Sequence, residues 1–259
     1  MAEALLQTDQ LSIQFGGHKA VSDVSLRVED RTFKSIIGPN GAGKTTLFNL
    51  ISGQLKPTSG RVLFRGNPIQ HLSPPKRTKL GIGRSFQITN IFPNLTVLEN
   101  VRMAVQSKEN VYFSMFRHFK SFPELEAKAY EYLVNVHLSD KADQVASALA
   151  HGEKRKLEIA ILLALDAEVL LLDEPTAGMS LEEVPAIIDV IRSIRDQRDR
   201  TIVLIEHKMD LVLDLSDSIA VLFHGELIAD DEPEAIMKHD RVQSAYLGGD
   251  VVDDDASST

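Results

Sequence analysis

One short stretch constrains this chain more than any other: Gly38-Pro39-Asn40-Gly41-Ala42-Gly43-Lys44-Thr45-Thr46. It matches G-x-x-x-x-G-K-[ST], the pattern of a phosphate-cradling P-loop. An apolar run ending Ser35-Ile36-Ile37 leads into it, and a helix-like run, Thr45–Leu50, leaves it. Glycines let the backbone curl so that successive N–H groups point at one anion. The helix N-terminus adds partial positive charge beneath the phosphates. In such a loop Lys44 reaches the β- and γ-phosphates, and the Thr45 hydroxyl ligates Mg²⁺. A strand–loop–helix of this kind requires an α/β sheet to carry it.

Composition narrows what surrounds the loop. The 259 residues are 43% hydrophobic, enough for a sizeable core in one or two domains. Lys and Arg number 28 against 37 Asp and Glu, a net charge of −9, which disfavours nucleic acid as the main partner. There is no cysteine, so disulfides, thiol chemistry and Cys-based zinc sites are excluded. Met1-Ala2-Glu3-Ala4 lacks the basic and apolar regions of a signal peptide, and no apolar run approaches a membrane span. Work at a membrane is therefore expected to go through a partner.

Before the loop, Leu11–Phe15 and Val24–Val28 alternate as strands, with Gly16-Gly17 as the turn between them. Phe15 could stack on a purine base or sit in the core at a strand end; position alone favours the core. After the loop, Lys56–Gly60 reads as a turn, Arg61–Gly66 as a strand, Pro74-Pro75-Lys76 as a loop boundary, and Leu80–Gln87 as a strand ending in glutamine. From about Thr89 to Ala164 helical spacing takes over. Thr96-Val97-Leu98-Glu99 forms a capping box opening Val97–Gln106, and Pro123 precedes a helix over Glu124–Val136. Val111–Phe116 is apolar in a polar setting, either a local core or a partner surface.

Glu153–Leu165 reads as a strong helix. Val169–Leu172 and Thr201–Ile205 are unbroken apolar runs, the mark of strands buried on both faces of a parallel sheet. Ser218–Leu222 gives another strand. Ser180 reads as the N-cap of a helix through Ile194, and the tail from Gly248 to Thr259 reads as disordered. Ligands of open α/β sheets sit at the carboxyl ends of strands, and four such ends carry suitable chemistry: the P-loop, Gln87, Asp173-Glu174 and His207. Together they describe nucleotide hydrolysis. Asp173 holds Mg²⁺ with Thr45, mostly through water, Gln87 touches the metal or orients a water, Glu174 polarises the attacking water, and His207 donates to a γ-phosphate oxygen.

In order and rough spacing these motifs resemble those of the ATP-binding subunit of an ABC transporter, over Leu5 to about Gly248. The resemblance implies an α/β fold: a P-loop NTPase (RecA-like) core with an N-terminal antiparallel β subdomain and an inserted α-helical subdomain. The core would span about 5–88 and 166–225, the helical subdomain 89–165, and a C-terminal segment 226–248, followed by a tail over 249–259. It puts Phe15 at the adenine-stacking position. It also identifies Leu149-Ala150-His151-Gly152-Glu153 as the signature motif, offered in trans to nucleotide on a second subunit. Gly83–Val97, Leu157–Ala160, Ala177-Gly178-Met179 and Tyr246-Leu247-Gly248 resemble the branched-chain amino acid uptake branch, which includes urea and short-amide importers.

What the resemblance implies is an ATPase using ATP and Mg²⁺, peripheral on the cytoplasmic face of the plasma (inner) membrane. Its partners would be permease subunits, a second ABC ATP-binding subunit (the same or different) and, indirectly, a solute-binding protein. Non-transport ABC ATPases are the alternative within the family. A DNA-repair member would need a long coiled coil, and a translation factor two P-loops; this chain shows neither. A nucleotide-binding module without turnover is the alternative outside it. The motif departs from Leu-Ser-Gly-Gly-Gln at Ala150, His151 and Glu153, and Ser180 replaces the common D-loop aspartate. The serine hydroxyl is lost to the partner's phosphate, and Glu153 adds negative charge there that Lys154 or Arg155 would offset. Since the residues acting in cis are intact, an asymmetric heterodimer is expected, its faster site the one built on this chain's P-loop.

Overall fold

The computed structural model describes residues 4–85, 91–109 and 123–247. Its elements run β1 (Ala4–Phe15), β2 (His18–Val24), β3 (Arg27–Glu29), β4 (Phe33–Ile37), α1 (Lys44–Ser52), β5 (Ser59–Phe64) and β6 (Asn67–Pro68). Next come α2 (Pro74–Leu80), β7 (Ile82–Arg84), α3 (Val97–Lys108), α4 (Pro123–Asn135), α5 (His151–Ala164), β8 (Val169–Asp173) and α6 (Val184–Gln197). The chain ends with β9 (Thr201–Ile205), α7 (Met209–Leu215), β10 (Ser218–Phe223), β11 (Glu226–Asp231), α8 (Pro233–Met237) and α9 (Asp240–Leu247). They form two compact units, Met1–Pro74 with Thr201–Thr259, and Pro75–Arg200.

The first unit holds an antiparallel sheet in which β1 pairs with β2, β3 and β5. A long β1 can serve all three because it bulges where the pairing shifts, between Leu11 and Ile13 on one side and Asp9 and Ser12 on the other. The Val24–Val28 run is two strands, β2 and β3, that pair with different stretches of β1. The P-loop strand β4 lies parallel between β9 and β10, and β11 closes antiparallel on β10. All five residues of β4 and of β9 are buried, which accounts for the apolar run of β9. Two residues of β4 are polar: Lys34 is buried against Asp230 as an ion pair, and the Ser35 hydroxyl shares a hydrogen bond with the Ser216 hydroxyl at 2.6 Å. Ile37, Val212, Ile219, Val221, Ile236 and Val242 form one core cluster, so α7, α8 and α9 are fastened by the same apolar surface that carries the P-loop strand.

In the second unit β7 and β8 pair in parallel. Gly83 is required there, because a Cβ would lie 2.7 Å from the Ala167 Cβ. Helices α3, α4 and α5 pack together. The stripe Leu125, Ala129 and Leu133 of α4 is buried, as 3.6-residue periodicity demands. The Thr96 capping box is present: the Glu99 N–H donates to the Thr96 hydroxyl at 3.1 Å, and the Thr96 N–H donates to the Glu99 carboxylate at 2.8 Å.

Two local expectations are corrected. Pro74-Pro75-Lys76 opens the helix α2 rather than bounding a loop, since proline is tolerated in a first turn whose N–H groups have no partner. Ser180 lies a turn ahead of the helix it was expected to cap: α6 starts at Val184 with Glu183 at the cap position and runs to Gln197. Residues 181–183 form that turn, across which the Glu183 carboxylate accepts the Ser180 N–H at 3.1 Å, as in half of a capping box.

Candidate functional site

The P-loop is braced by carbonyl oxygens that leave no room for side chains. Gly38 has φ 153°, and a Cβ on it would lie 2.2 Å from the Leu222 carbonyl oxygen. Gly43 has φ 98°, and its Cβ would lie 2.4 Å from the Ala20 oxygen. The β10–β11 turn locks onto the loop from the far side: the Gly225 N–H donates to the Ala42 oxygen at 3.1 Å, and the Ser22 N–H donates to the Gly225 oxygen at 2.8 Å. These contacts spread the glycine signature over three chain segments.

Helix α1 begins at Lys44 with no side chain capping it and no acidic residue in its first turn. Its N-terminal dipole is therefore not offset by a carboxylate of its own. The buried Lys44 Nζ donates to the Gly38 oxygen at 2.6 Å and the Pro39 oxygen at 3.0 Å. The ammonium is thus folded along the loop it would serve, an anion-binding set of backbone N–H groups and one cation. Thr45 and Thr46 are half-buried, and Asn40 and Gly41 are exposed.

Phe15, at the end of β1, is 51% exposed, which overturns the core reading and leaves its face available for stacking. His207 follows β9 and is exposed. The turn that presents it is shaped by the buried Glu206 carboxylate, which accepts the His207 N–H at 2.9 Å and the Lys208 N–H at 3.4 Å.

In the second unit Asp173 ends β8 with no solvent exposure. Its Oδ2 accepts from Arg84 Nη2 at 2.9 Å, and its N–H donates to Ser85 Oγ at 3.3 Å. Oδ1 is buried without a hydrogen-bond partner among the described residues. Burial pushes the Asp173 carboxyl above the usual carboxylate range; the Arg84 hydrogen bond and charge pull it back, and the Glu174 charge adds to the rise. A buried carboxylate oxygen with no donor fits a divalent cation, reached directly or through water. No three His, Cys, Asp or Glu side chains cluster as a metal cage among the described residues.

Glu174 has φ 46°, a left-handed conformation costing on the order of 1 kcal/mol in a non-glycine residue. It is held there through its carbonyl, which accepts from the Ala177 N–H at 3.0 Å and from Arg155 Nη2 at 3.5 Å. Strain maintained at a strand end marks Glu174 as a candidate functional position.

The signature residues lie at the start of α5. Leu149 and Gly152 are buried, and Ala150 and His151 are exposed. Ala150 occupies the cap position and can offer no side-chain oxygen. The Ala150 N–H instead donates to Glu153 Oε2 at 2.9 Å, half of a capping box. Burial works against the Glu153 carboxylate, but hydrogen bonds from Lys141 and the Ala150 N–H hold it below its ordinary range. Lys141 is therefore its counter-charge, not Lys154 or Arg155; Arg155 is buried against Glu158 at 2.7 Å. The Gly152 N–H donates to Glu183 Oε1 at 3.3 Å.

Gln87 lies outside the described residues, as do Val111–Phe116 and the tail from Gly248. Sequence reasoning gave no site role to Arg84, Ser85 or Glu183. An arginine directly before Ser85-Phe86-Gln87 in a short strand was a usable signal, since charge in a buried strand needs a partner.

Comparison with known proteins shows the family. The ABC transporter family model matches residues 21–177, and a model described as branched-chain amino acid ATP-binding cassette transporter matches residues 226–252. The high-affinity branched-chain amino acid transport ATP-binding protein LivG of Salmonella typhimurium is 38% identical over 253 residues, 96% of this chain and 99% of its own. BraF of Pseudomonas aeruginosa, with the same description, is 38% identical over 254 residues, again 96% and 99%. The crystal structure of the ADP conformation of MJ1267, an ATP-binding cassette of an ABC transporter, aligns with a TM-score of 0.80 at 29% identity, covering 95% of this chain and 99% of that one. With a P-loop, a buried strand-end aspartate and a strained glutamate after it, this chain belongs to the ABC transporter family, in the branch that holds LivG and BraF.

Proposed function

We propose that this chain is the ATP-hydrolysing subunit of an importer for branched-chain or other hydrophobic amino acids. The observation that carries the reading is 38% identity to LivG and BraF across 96% of the chain, with a separate match of residues 226–252 to the branched-chain cassette model. We place the chain peripherally at the cytoplasmic membrane face on the strength of its likeness to LivG and BraF, transport ATP-binding proteins; among the described residues no helix is long and apolar enough to cross a membrane. Phe92, 54% exposed, is offered to the permease; Asn100 clamps its backbone, accepting its N–H at 2.8 Å and donating to its carbonyl at 3.1 Å.

In the cycle we infer, Phe15 stacks on adenine and the Gly38–Thr46 N–H groups take the phosphates. Lys44 exchanges the Gly38 and Pro39 carbonyls for phosphate oxygens. Thr45, Asp173 and Gln87 are the residues that would hold Mg²⁺, which would supply charge neutralisation to the phosphates. Glu174 accepts a proton from the attacking water, and His207 donates to a γ-phosphate oxygen. Leu149–Glu153 serves a second subunit's nucleotide, and for that Glu183 releases the Gly152 N–H. A solved relative, MJ0796 (26% identity, TM-score 0.74), is described as dimeric, which supports pairing.

ATPase assays of the purified chain, alone and with a second cassette, test the reading. Turnover that Glu174→Gln abolishes is expected; nucleotide binding with no turnover under either condition would reduce the chain to a regulatory module. Separate Glu-to-Gln changes in each subunit test asymmetry, and equal losses would remove that part.

A further inference from the structure

The pairing of Arg84 with Asp173 is one-sided in a way that a purely structural ion pair need not be. Arg84 ends β7, in register with Leu171 of β8, two residues before Asp173. Both side chains are buried, at 8% and 0% exposure. A guanidinium fork can satisfy both oxygens of a carboxylate at once. Here Nη2 takes Oδ2 at 2.9 Å, and Oδ1 is left with no hydrogen-bond partner among the described residues. The next residue of the same edge, Ser85, fixes the backbone: its N–H donates to the Leu171 oxygen at 2.9 Å and its hydroxyl accepts the Asp173 N–H at 3.3 Å. Two consecutive residues thus hold both the peptide N–H and one carboxylate oxygen of Asp173.

We infer that Arg84 is a positioning residue for metal binding: by holding Oδ2 of Asp173 it presents Oδ1 to the cation that accompanies the nucleotide. The inference rests on the reading of Asp173 as a metal donor. An arginine suits the task better than a lysine because its planar, permanently charged group fixes direction as well as charge. A carboxylate free to turn about its Cβ–Cγ bond would present either oxygen, or neither, to the cation. Partners that orient a metal ligand from behind are worth 10- to 100-fold in metal affinity in general.

The test uses the full chain loaded with ADP and titrated with Mn²⁺ as the paramagnetic probe, with binding read by electron paramagnetic resonance. ADP affinity in EDTA and thermal melting are measured alongside. Arg84→Lys keeps the charge and loses the fork. It is expected to bind Mn²⁺ about tenfold more weakly, with ADP affinity in EDTA unchanged and melting near that of the parent. Arg84→Met should weaken the metal at least as much; if it does not fold, the lysine variant decides alone. Unchanged Mn²⁺ affinity in Arg84→Lys, or parallel losses of metal-free ADP binding and Mn²⁺ binding, would overturn the inference. Asp173→Asn separates the two levels. If it weakens Mn²⁺ and Arg84→Lys does not, only the positioning role fails; if it leaves Mn²⁺ unaffected, the metal reading of Asp173 fails with it.

Discussion

The Lys44 ammonium donates to the carbonyl of Gly38, the first residue of its own loop, at 2.6 Å. The loop thereby holds its cation on its own backbone, and phosphate binding, as proposed, would exchange one acceptor set for another. Lys44→Ala is expected to weaken ATP binding by about tenfold to a hundredfold, the worth of one charged hydrogen bond of roughly 1.5–3 kcal/mol. Fluorescent-nucleotide titration measures it, and an affinity within about twofold of the parent would contradict the exchange.

The three P-loop glycines differ in what surrounds them, so their substitutions should differ too. Gly43→Ala puts a Cβ 2.4 Å from a backbone oxygen in a left-handed conformation, and we expect a loss of about 3 kcal/mol or more. Gly41→Ala has φ 79° but open space around it, so only the conformational strain of about 1 kcal/mol applies. Urea unfolding midpoints of the two variants rank them directly.

Arg155 and Glu158 form a buried pair one helical turn apart in α5, and Arg155 also reaches the Glu174 carbonyl. Removing one partner strands a buried charge, so Arg155→Met alone should cost about 3–5 kcal/mol. The double change Arg155→Met with Glu158→Leu should cost less than the single one. Guanidinium denaturation of the single and double variants gives the comparison. Catalytic turnover of the double variant should fall more than its stability, since Glu174 loses a support.

Glu183 titrates in a way that reports its contact with the signature helix. Hydrogen bonds from the Ser180 and Gly152 N–H groups hold its carboxyl below the ordinary range, with burial opposing them. A carboxyl with a depressed folded pKa adds stability above its unfolded pKa and loses it as pH falls through the folded one. The parent should therefore melt higher than Glu183→Gln near neutral pH, and the gap should close as pH drops below the usual carboxylate range. Melting curves from neutral to acid pH test this; a gap independent of pH would mean that the carboxylate is not the contact.

Much of the site could be read from residues because each part is local. The P-loop is contiguous, and β8 and β9 are legible because strands buried on both faces have no reason to alternate. Thr96 and Glu99 announced their helix because a capping box closes within four residues. What stayed hidden depends on partners distant in sequence. Glu153 is neutralised by Lys141, twelve residues earlier, and not by the adjacent cations. Arg84 meets Asp173 across 89 positions, which no spacing rule reaches. The Ser180–Glu183 spacing was legible, but the turn over 181–183 that sets the start of α6 at Val184 was not.

The most direct test of the account is uptake of labelled leucine into vesicles carrying the permease, its second cassette and this chain, with solute-binding protein outside and ATP inside. ATP-dependent uptake is expected, and it should vanish with Glu174→Gln in this chain while ATP still binds. Uptake that proceeds unchanged with Glu174→Gln, or ATP hydrolysis that leucine and its binding protein do not stimulate, would contradict it.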